Sequence, residues 1–181
     1  MNEGFIPTLE TDRLRLRAFR EADVEPLFAL MQDPDVVRYI GDRRIPTRQE
    51  CWRAIAGWLG HWQLRGYGLW AVEERDTHAF IGRIGIINPL DWPGPELAYT
   101  LGKAWWGRGY ANEACQAALR WGFEERGFER LISLIDPANG PSIALATRLG
   151  ETLAGESEVS GHRVLVYSID KSGWESQQLA G

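Results

Sequence analysis

The sequence has few cysteines, no long apolar run and no excess of basic residues. Its two cysteines, Cys51 and Cys115, fall at apolar positions of helix-like periods, so they predict buried thiols rather than a disulfide framework. No apolar stretch approaches the ~18 residues that a membrane span needs, and residues 1–5 lack the basic segment of a signal peptide. These absences predict a cytoplasmic protein without a membrane partner.

Charged residues narrow the range of partners. The chain has 20 Lys+Arg against 25 Asp+Glu, a net charge of -5, which argues against non-specific binding to nucleic acid. The histidines His61, His78 and His162 are isolated, and no His-Glu-x-x-His or Cys-x-x-Cys spacing occurs, so we expect no metal. With 44% hydrophobic residues, the chain is predicted to form a single domain over residues 1–181.

Hydrophobic periodicity predicts mainly helices in the first third of the chain and strands in the middle. Alternation over residues 9–19 indicates a half-buried strand. A helix follows, and a second helix begins at the capping box formed by Thr47 and Glu50. Three short runs then predict an antiparallel meander, over residues 69–73, 79–87 and 96–101.

The last third is predicted to alternate helices and strands. A strong helical face runs from Ala111 to Phe123, and the apolar run over residues 131–135 is typical of a strand buried on both faces. A short helix over residues 142–149 follows, and residues 159–162 then separate two strand-like runs, the second over residues 164–169. We therefore expect the core to span about residues 8–170 and the tail, residues 171–181, to be frayed.

The most informative segment is the glycine turn, residues 106–111 (Trp-Gly-Arg-Gly-Tyr-Ala), between a predicted strand and a predicted helix. Two glycines allow a tight turn, and the free N–H groups at the start of the helix form an anion site to which Arg108 would add charge. The Rossmann fingerprint fails because Asn112 occupies the position of the third glycine, and no Gly-Lys-Ser or Gly-Lys-Thr of a Walker A loop follows. The turn therefore predicts a phosphate site of another kind.

The glycine turn resembles the pyrophosphate loop of the GNAT acyltransferase superfamily, whose pattern is Gln or Arg, two residues, Gly, one residue, then Gly or Ala. Gly109 and Ala111 match, whereas Trp106 departs from the first position. The form Trp-Gly-x-Gly-Tyr-Ala is similar to the branch that contains the ribosomal-protein N-terminal alanine acetyltransferases. Further segments similar to that branch occur in the same order at residues 9–17, 96–101, 139–142 and 149–150.

The resemblance implies a mixed α/β (α+β) fold, a three-layer sandwich whose mixed, largely antiparallel central sheet splays apart beside the turn. The pantetheine arm of acetyl-CoA would lie in the gap. The residues that the resemblance assigns to acetyl-CoA are Leu101, Trp106, Gly107, Arg108, Gly109, Tyr110, Ala111, Asn139 and Ser142. For Asn139, a helix cap or turn residue is the alternative interpretation.

Acetyl transfer to an amine sets its own requirements. The amine must be uncharged to attack, and an α-amino group, with a pKa near ~8, meets this far more readily than a lysine side chain near ~10.4. Glu96 is the candidate base, acting through water, and the alternative is a solvated carboxylate at a strand end. Many relatives use a Tyr where this chain has Ala146, so the resemblance favours Ser142 as donor to the thiolate, or merely as a helix cap.

Alternatives remain for the activity and for the acceptor. Gly140-Pro141-Ser142 with Glu156 or Glu158 and His162 is similar to a serine hydrolase in order, although the preceding strands form a meander. The absence of a Tyr at Ala146 also fits a non-catalytic CoA-binding domain. A peptide N-terminus, a small amine, an amino acid and an antibiotic are all compatible acceptors, and the chain is expected to be a monomer or a homodimer. Trp92 and Tyr39 are candidates for the border of an acceptor pocket.

Overall fold

The computed structural model describes residues 6–180. Residues 1–5, on which the expected absence of a signal peptide rests, and residue 181 lie outside the described part. The strands are β1 (Leu9–Glu10), β2 (Leu14–Arg17), β3 (Leu69–Glu74), β4 (Phe80–Ile87), β5 (Glu96–Leu101), β6 (Arg130–Ile135), β7 (Thr152–Val159) and β8 (His162–Asp170). The helices are α1 (Val24–Met31), α2 (Pro34–Val37), α3 (Arg48–Arg65), α4 (Tyr110–Glu124), α5 (Gly140–Arg148) and α6 (Lys171–Ala180).

The eight strands form one sheet in the order β1-β2-β3-β4-β5-β6-β8-β7. Every neighbouring pair is antiparallel except β5 and β6, which are parallel. The predicted meander is confirmed as β3, β4 and β5. The single strand predicted over residues 9–19 is wrong, because the Thr11 hydroxyl accepts a hydrogen bond from the Leu14 main-chain N–H (2.9 Å) and the chain turns back, so that β1 pairs with β2.

Helices cover both faces of the sheet, which makes the fold a three-layer sandwich as expected. Because side chains alternate across a strand, each strand contributes to two apolar layers. One layer packs under α4 and includes the fully buried Trp70, and the other packs under α1 and α3. Cys115 belongs to the first layer and Cys51 to the second, and both thiols are free and buried as predicted.

The expectation of a frayed tail is wrong for residues 171–180, which form α6. Trp174 is only 4% exposed and its ring lies 5.4 Å from that of Phe123 in α4. A single aromatic anchor docks a helix whose other positions are mostly polar, so its sequence carries little apolar periodicity. None of the helices in the described part of the chain is long and apolar enough to cross a bilayer.

Candidate functional site

The sheet opens between the two parallel strands. β5 and β6 have a single register pair, Glu96 with Ile132, and the Ile132 N–H donates to the Pro95 carbonyl (2.9 Å). Beyond this point neither strand pairs with the other, although both continue. The predicted splay is therefore confirmed, and we call the space between the diverging strands the gap.

Main-chain groups of β5 line one side of the gap. The Gly102 N–H donates to the Ile81 carbonyl (2.9 Å), which marks that pair as hydrogen-bonded in the antiparallel ladder with β4. Because such pairs alternate along the ladder, Leu97, Tyr99 and Leu101 direct their N–H and C=O groups away from β4. Those of Tyr99 and Leu101 lie beyond the last pairing with β6 and therefore point into the gap.

Side chains form hydrogen bonds with two of the β5 carbonyl groups. The Ser133 hydroxyl lies 3.4 Å from the Leu97 carbonyl oxygen, and the Trp106 indole N–H donates to the Leu101 carbonyl (2.8 Å). Trp106 thus shapes the strand end, and the main chain of Tyr99 is left directed into the gap. Sequence reasoning named Leu101 and missed Tyr99, since ladder phase is not visible in a linear sequence.

The glycine turn has the backbone that the sequence predicts. Gly107 and Gly109 adopt positive φ angles of 70° and 82°, which favour glycine. Gly109 is the N-cap of α4, and no side chain caps the helix there. The first N–H groups of a helix have no intrahelical partner, so those of Tyr110 and Ala111 are available to an anion beside the positive end of the helix.

A network that sequence reasoning missed holds this turn in place. The Thr11 hydroxyl donates to the Glu113 carboxylate (2.6 Å), and the Arg13 guanidinium forms an ion pair with the same carboxylate (2.6 Å). Arg13 also donates to the Arg108 carbonyl (2.9 Å), and a Cβ added at Gly109 would lie 3.3 Å from Arg13 Nη2. In the sequence, Arg13 is one of several alternating arginines and gives no distinct signal.

The start of α5 lies across the gap from β5. The Asn139 side chain accepts a hydrogen bond from the Ser142 main-chain N–H (3.3 Å), so the helix-cap interpretation of Asn139 is confirmed. The Ser142 side chain is half-buried, and within residues 6–180 its hydroxyl has no hydrogen-bond partner. The Tyr99 hydroxyl reaches across the gap to within 3.5 Å of the Ser142 carbonyl. Burial raises the pKa of Tyr99 above its ordinary value, which keeps the phenol protonated.

Glu96 lies where β5 and β6 begin to diverge. Its residue is 9% exposed, so the alternative of a solvated carboxylate is wrong. Burial raises the pKa of Glu96 to about 7, and a hydrogen bond from the Trp92 indole N–H to the carboxylate (2.7 Å) opposes this rise. The structure therefore brings a titratable carboxyl group and Trp92, an expected border residue, to the gap.

A second buried carboxyl group lies close by and was missed from the sequence. Glu151 is 3% exposed, and the Ser133 hydroxyl donates to one carboxylate oxygen (2.9 Å) while the other has no partner within the described residues. Burial raises the pKa of Glu151 to about 7, and the nearby charge of Glu96 adds to the rise. Two carboxyl groups thus titrate near neutrality beside the gap.

A cavity of about 170 Å³ lies on the sheet face that carries Glu96, beneath α1 and α3. It is lined by Leu27, Met31, Ile40, Pro46, Glu50, Cys51, Ala54, Trp58 and Arg83. The segment between α2 and α3, which contains Ile40, reaches the start of α5, because the Tyr39 hydroxyl donates to the Ala138 carbonyl (3.2 Å). A larger depression of about 430 Å³ lies beside Trp52 and Arg48. Neither lining includes a residue of the gap, but the smaller cavity includes Arg83, whose strand β4 pairs with β5.

The serine hydrolase arrangement is not formed. Ser142 contacts Asn139 and Tyr99 rather than a histidine, and Glu156 is paired with Arg163 on the exposed β7–β8 hairpin. Across residues 6–180, no group of three or more His, Cys, Asp or Glu side chains is arranged to hold a metal ion.

Comparisons with known proteins agree with this geometry. Residues 13–152 match the family described as Acetyltransferase (GNAT) domain. The chain is 39% identical over 153 residues to the protein YkkB of Bacillus subtilis (strain 168), covering 78% of this chain and 83% of that protein. It is 33% identical to the acetyltransferase structure from Agrobacterium tumefaciens str. C58, with a TM-score of 0.80 over 91% of this chain and 94% of that chain.

A further solved structure supports the likeness of fold. RimL, a ribosomal L7/L12 alpha-N-protein acetyltransferase in complex with coenzyme A, has 20% identity and a TM-score of 0.76 over 91% of this chain and 98% of that chain. At this identity the likeness concerns the fold alone. The resemblance based on the glycine turn is confirmed, and the non-catalytic alternative is set aside. The chain belongs to the GNAT acetyltransferase family and is an acyl-CoA-dependent N-acetyltransferase.

Proposed function

We propose that the chain transfers the acetyl group of acetyl-CoA to a primary amine by direct attack of the amine, without an acyl-enzyme intermediate. The observation that carries this proposal is Glu96, a buried carboxyl group with a pKa raised to about 7 at the point where β5 and β6 diverge. An ammonium group must lose a proton before it attacks, and a general base works best when its pKa is near the working pH. Glu96, acting through a water molecule, would be that base.

Main-chain groups would bind the co-substrate. The pyrophosphate would lie against residues 107–111, where two left-handed glycines and the uncapped start of α4 offer N–H donors, with the Arg108 side chain nearby. The pantetheine arm would enter the gap and bond to the main chain of Tyr99 and to the Leu101 N–H. Asn139 would act indirectly, as the residue that orients the start of α5.

Three residues would act in the reaction itself. Glu96 would take one proton from the ammonium group through water, the neutral nitrogen would then bond to the thioester carbonyl carbon, and the second proton that the nitrogen loses would pass to the departing sulfur. The Tyr99 N–H would donate to the developing oxyanion. When the carbon–sulfur bond breaks, the Ser142 hydroxyl would donate a hydrogen bond to the departing thiolate. The protonated phenol of Tyr99, which lies near Ser142, would be a second hydrogen-bond donor to the thiolate.

We propose a small amine as the acceptor. The supporting observation is the cavity of about 170 Å³, which α1, α3 and the segment containing Ile40 close on several sides. RimL, as an alpha-N-protein acetyltransferase, acts on a protein α-amine, which makes a peptide N-terminus the second candidate for this chain. The cytoplasmic location, the single domain and the state of monomer or homodimer stay predictions.

The test is a coenzyme A release assay across N-terminal peptides, polyamines, amino acids and aminoglycosides. We expect release with at least one small primary amine, and mass spectrometry of the product should locate one added acetyl group on nitrogen. Turnover with peptides alone would identify a peptide N-terminus, the second candidate, as the acceptor. Tight binding of acetyl-CoA without release against any amine would contradict the proposed function.

A further inference from the structure

Arg83 of β4 and Thr100 of β5 lie opposite each other on the sheet face that is covered by α1 and α3. Thr100 is 6% exposed, and its buried hydroxyl has no hydrogen-bond partner within the described residues. Within the same residues, the Arg83 guanidinium forms no ion pair, and its aromatic neighbour is the Trp58 ring at 4.9 Å. Two adjacent hydrogen-bond donors therefore lack an acceptor.

Arg17, which is buried, shows what a purely structural pairing looks like in this protein. The Arg17 guanidinium bonds to both Asp23 (2.8 Å) and Glu73 (2.8 Å), so its charge is neutralised within the protein. Arg83 has no such partner, and burial lowers the pKa of its guanidinium to about 10. The Arg83 side chain is half-buried where it lines the cavity, so its guanidinium is accessible to an anion that enters, and such an anion would supply the missing charge.

The cavity beside Arg83 indicates what accompanies that charge. Apart from Arg83 and Glu50, its lining consists of apolar and proline side chains. Glu50 is occupied elsewhere, because it pairs with Arg44 and caps α3 through Thr47. Glu96 lies on the same sheet face as Arg83, and its charge acts on the Arg83 guanidinium. The cavity thus offers a cationic anchor and an apolar wall, and the proposed base lies on the same sheet face.

We propose that the acceptor is a small amine that also carries a carboxylate, and that Arg83 and Thr100 bind this carboxylate while the apolar part fills the cavity. A guanidinium and one hydroxyl supply donors for both oxygens of a singly charged carboxylate. The amine of the same molecule is then directed toward Glu96 and the gap. This inference rests on the proposed function and specifies its acceptor.

The experiment compares two matched pairs of acceptors, L-leucine with L-leucinamide and 6-aminohexanoate with hexylamine. Each pair shares its apolar part, and one member alone carries the carboxylate. The measured quantity is the ratio of kcat/KM within a pair, taken for the wild type and divided by the same ratio for the variant. Differences in amine pKa between the members cancel in this quotient.

Arg83→Met should lower the preference for the carboxylate member by at least tenfold in the better-used pair. Thr100→Val should lower it by about threefold to fivefold, and Arg83→Lys should fall between the two. Arg53→Met, which removes an exposed arginine of α3, is the matched control and should leave the ratio at its wild-type value. If Arg83→Met does not fold, as judged by circular dichroism, the Lys and Val variants decide the result.

An unchanged ratio in the folded Arg83 and Thr100 variants would overturn the inference. So would a wild-type enzyme that acetylates only amines without a carboxylate. Both outcomes leave the proposed function intact, since acetyl transfer would still be observed. Failure of the proposed function has a different signature, the absence of coenzyme A release with every amine despite binding of acetyl-CoA.

Discussion

On the side of the glycine turn, charged side chains are paired with one another, as in Arg13 with Glu113, and the main chain is left to meet the ligand. On the face beneath α1 and α3, Arg17 is paired in the same way, but the groups nearer the gap are not. There Arg83 and Thr100 lack partners within the described residues, and Glu96 is buried with a raised pKa. The first side suits a co-substrate that the whole family shares, whereas the second carries the side chains that we propose bind the amine.

The largest effect is expected from a substitution that disrupts the glycine turn. Gly109→Val should weaken binding of acetyl-CoA by more than a hundredfold, because a β-branched residue strongly disfavours a φ of 82° and its side chain would approach Arg13. Isothermal titration calorimetry measures the affinity. Gly127→Val is the matched control, since Gly127 has a φ of 68° and open space around it, far from the turn. Equal affinity for acetyl-CoA in the two folded variants would contradict the placement of the pyrophosphate at the glycine turn.

The next largest effect is expected from removing the proposed base, Glu96, while the glycine turn is left intact. Glu96→Gln should lower kcat on the order of 10³-fold, as expected for loss of a general base, and change the affinity for acetyl-CoA by less than threefold. Stopped-flow or continuous detection of coenzyme A measures kcat, and calorimetry measures the affinity. Glu158→Gln, an exposed carboxylate on β7, is the control. A loss of affinity equal to the loss of kcat would make Glu96 a structural residue.

The third prediction concerns stability and sharpens the distinction between the two buried carboxyl groups. The folded-state pKa of Glu151, about 7, lies above the ordinary 4.5, so the folded state binds this proton more tightly than the unfolded state. The associated stability is fully present below pH 4.5 and is lost as the pH rises through 7. Glu151→Gln should therefore be more stable than the wild type above pH 7, by on the order of 3 kcal/mol at most.

Urea unfolding at pH 4.5 and pH 8 measures this difference for Glu151→Gln. The Gln side chain keeps an acceptor for the Ser133 hydroxyl, so the variant removes the charge and little else. Glu158→Gln should show no comparable dependence on pH. A variant that is less stable than the wild type at pH 8 would mean that the ionised form of Glu151 is favoured in the folded protein.

The smallest effect tests the donor to the thiolate. Ser142→Ala should lower kcat by more than tenfold and leave the affinity for acetyl-CoA nearly unchanged, because the cap of α5 comes from Asn139 rather than from the serine hydroxyl. Tyr99→Phe is the companion variant, measured in the same assay. If Tyr99→Phe is slow and Ser142→Ala is not, the donor is the phenol and the serine has no part in the reaction.

The same contrast explains what the sequence could predict. The glycine turn, the capping box of Thr47 and Glu50 and the strand entering the gap are local patterns, and each appears in the structure where it was expected. Glu96 was found because it begins that strand. Features that depend only on neighbouring residues in the chain are visible in one sequence.

The remaining features depend on contacts between distant segments. Arg13 and Glu113 are separated by 100 positions in the sequence, and Ser133 and Glu151 by 18, so neither pair forms a local motif. The orientation of Tyr99 follows from the phase of the β4–β5 ladder, and burial of Glu151 follows from packing. Trp174, a lone aromatic in a polar segment, gave no sign of the helix that it anchors.

The pH dependence of kcat/KM for the amine, at saturating acetyl-CoA, tests the central claim most directly. Glu96 must be deprotonated to act as a base, so the wild-type rate should rise about tenfold per pH unit below 7 and bend near its pKa of about 7, below the bend from the amine itself. Glu151→Gln should keep this lower bend and Glu96→Gln should lose it. A bend near 7 that survives in Glu96→Gln would contradict the assignment of the base.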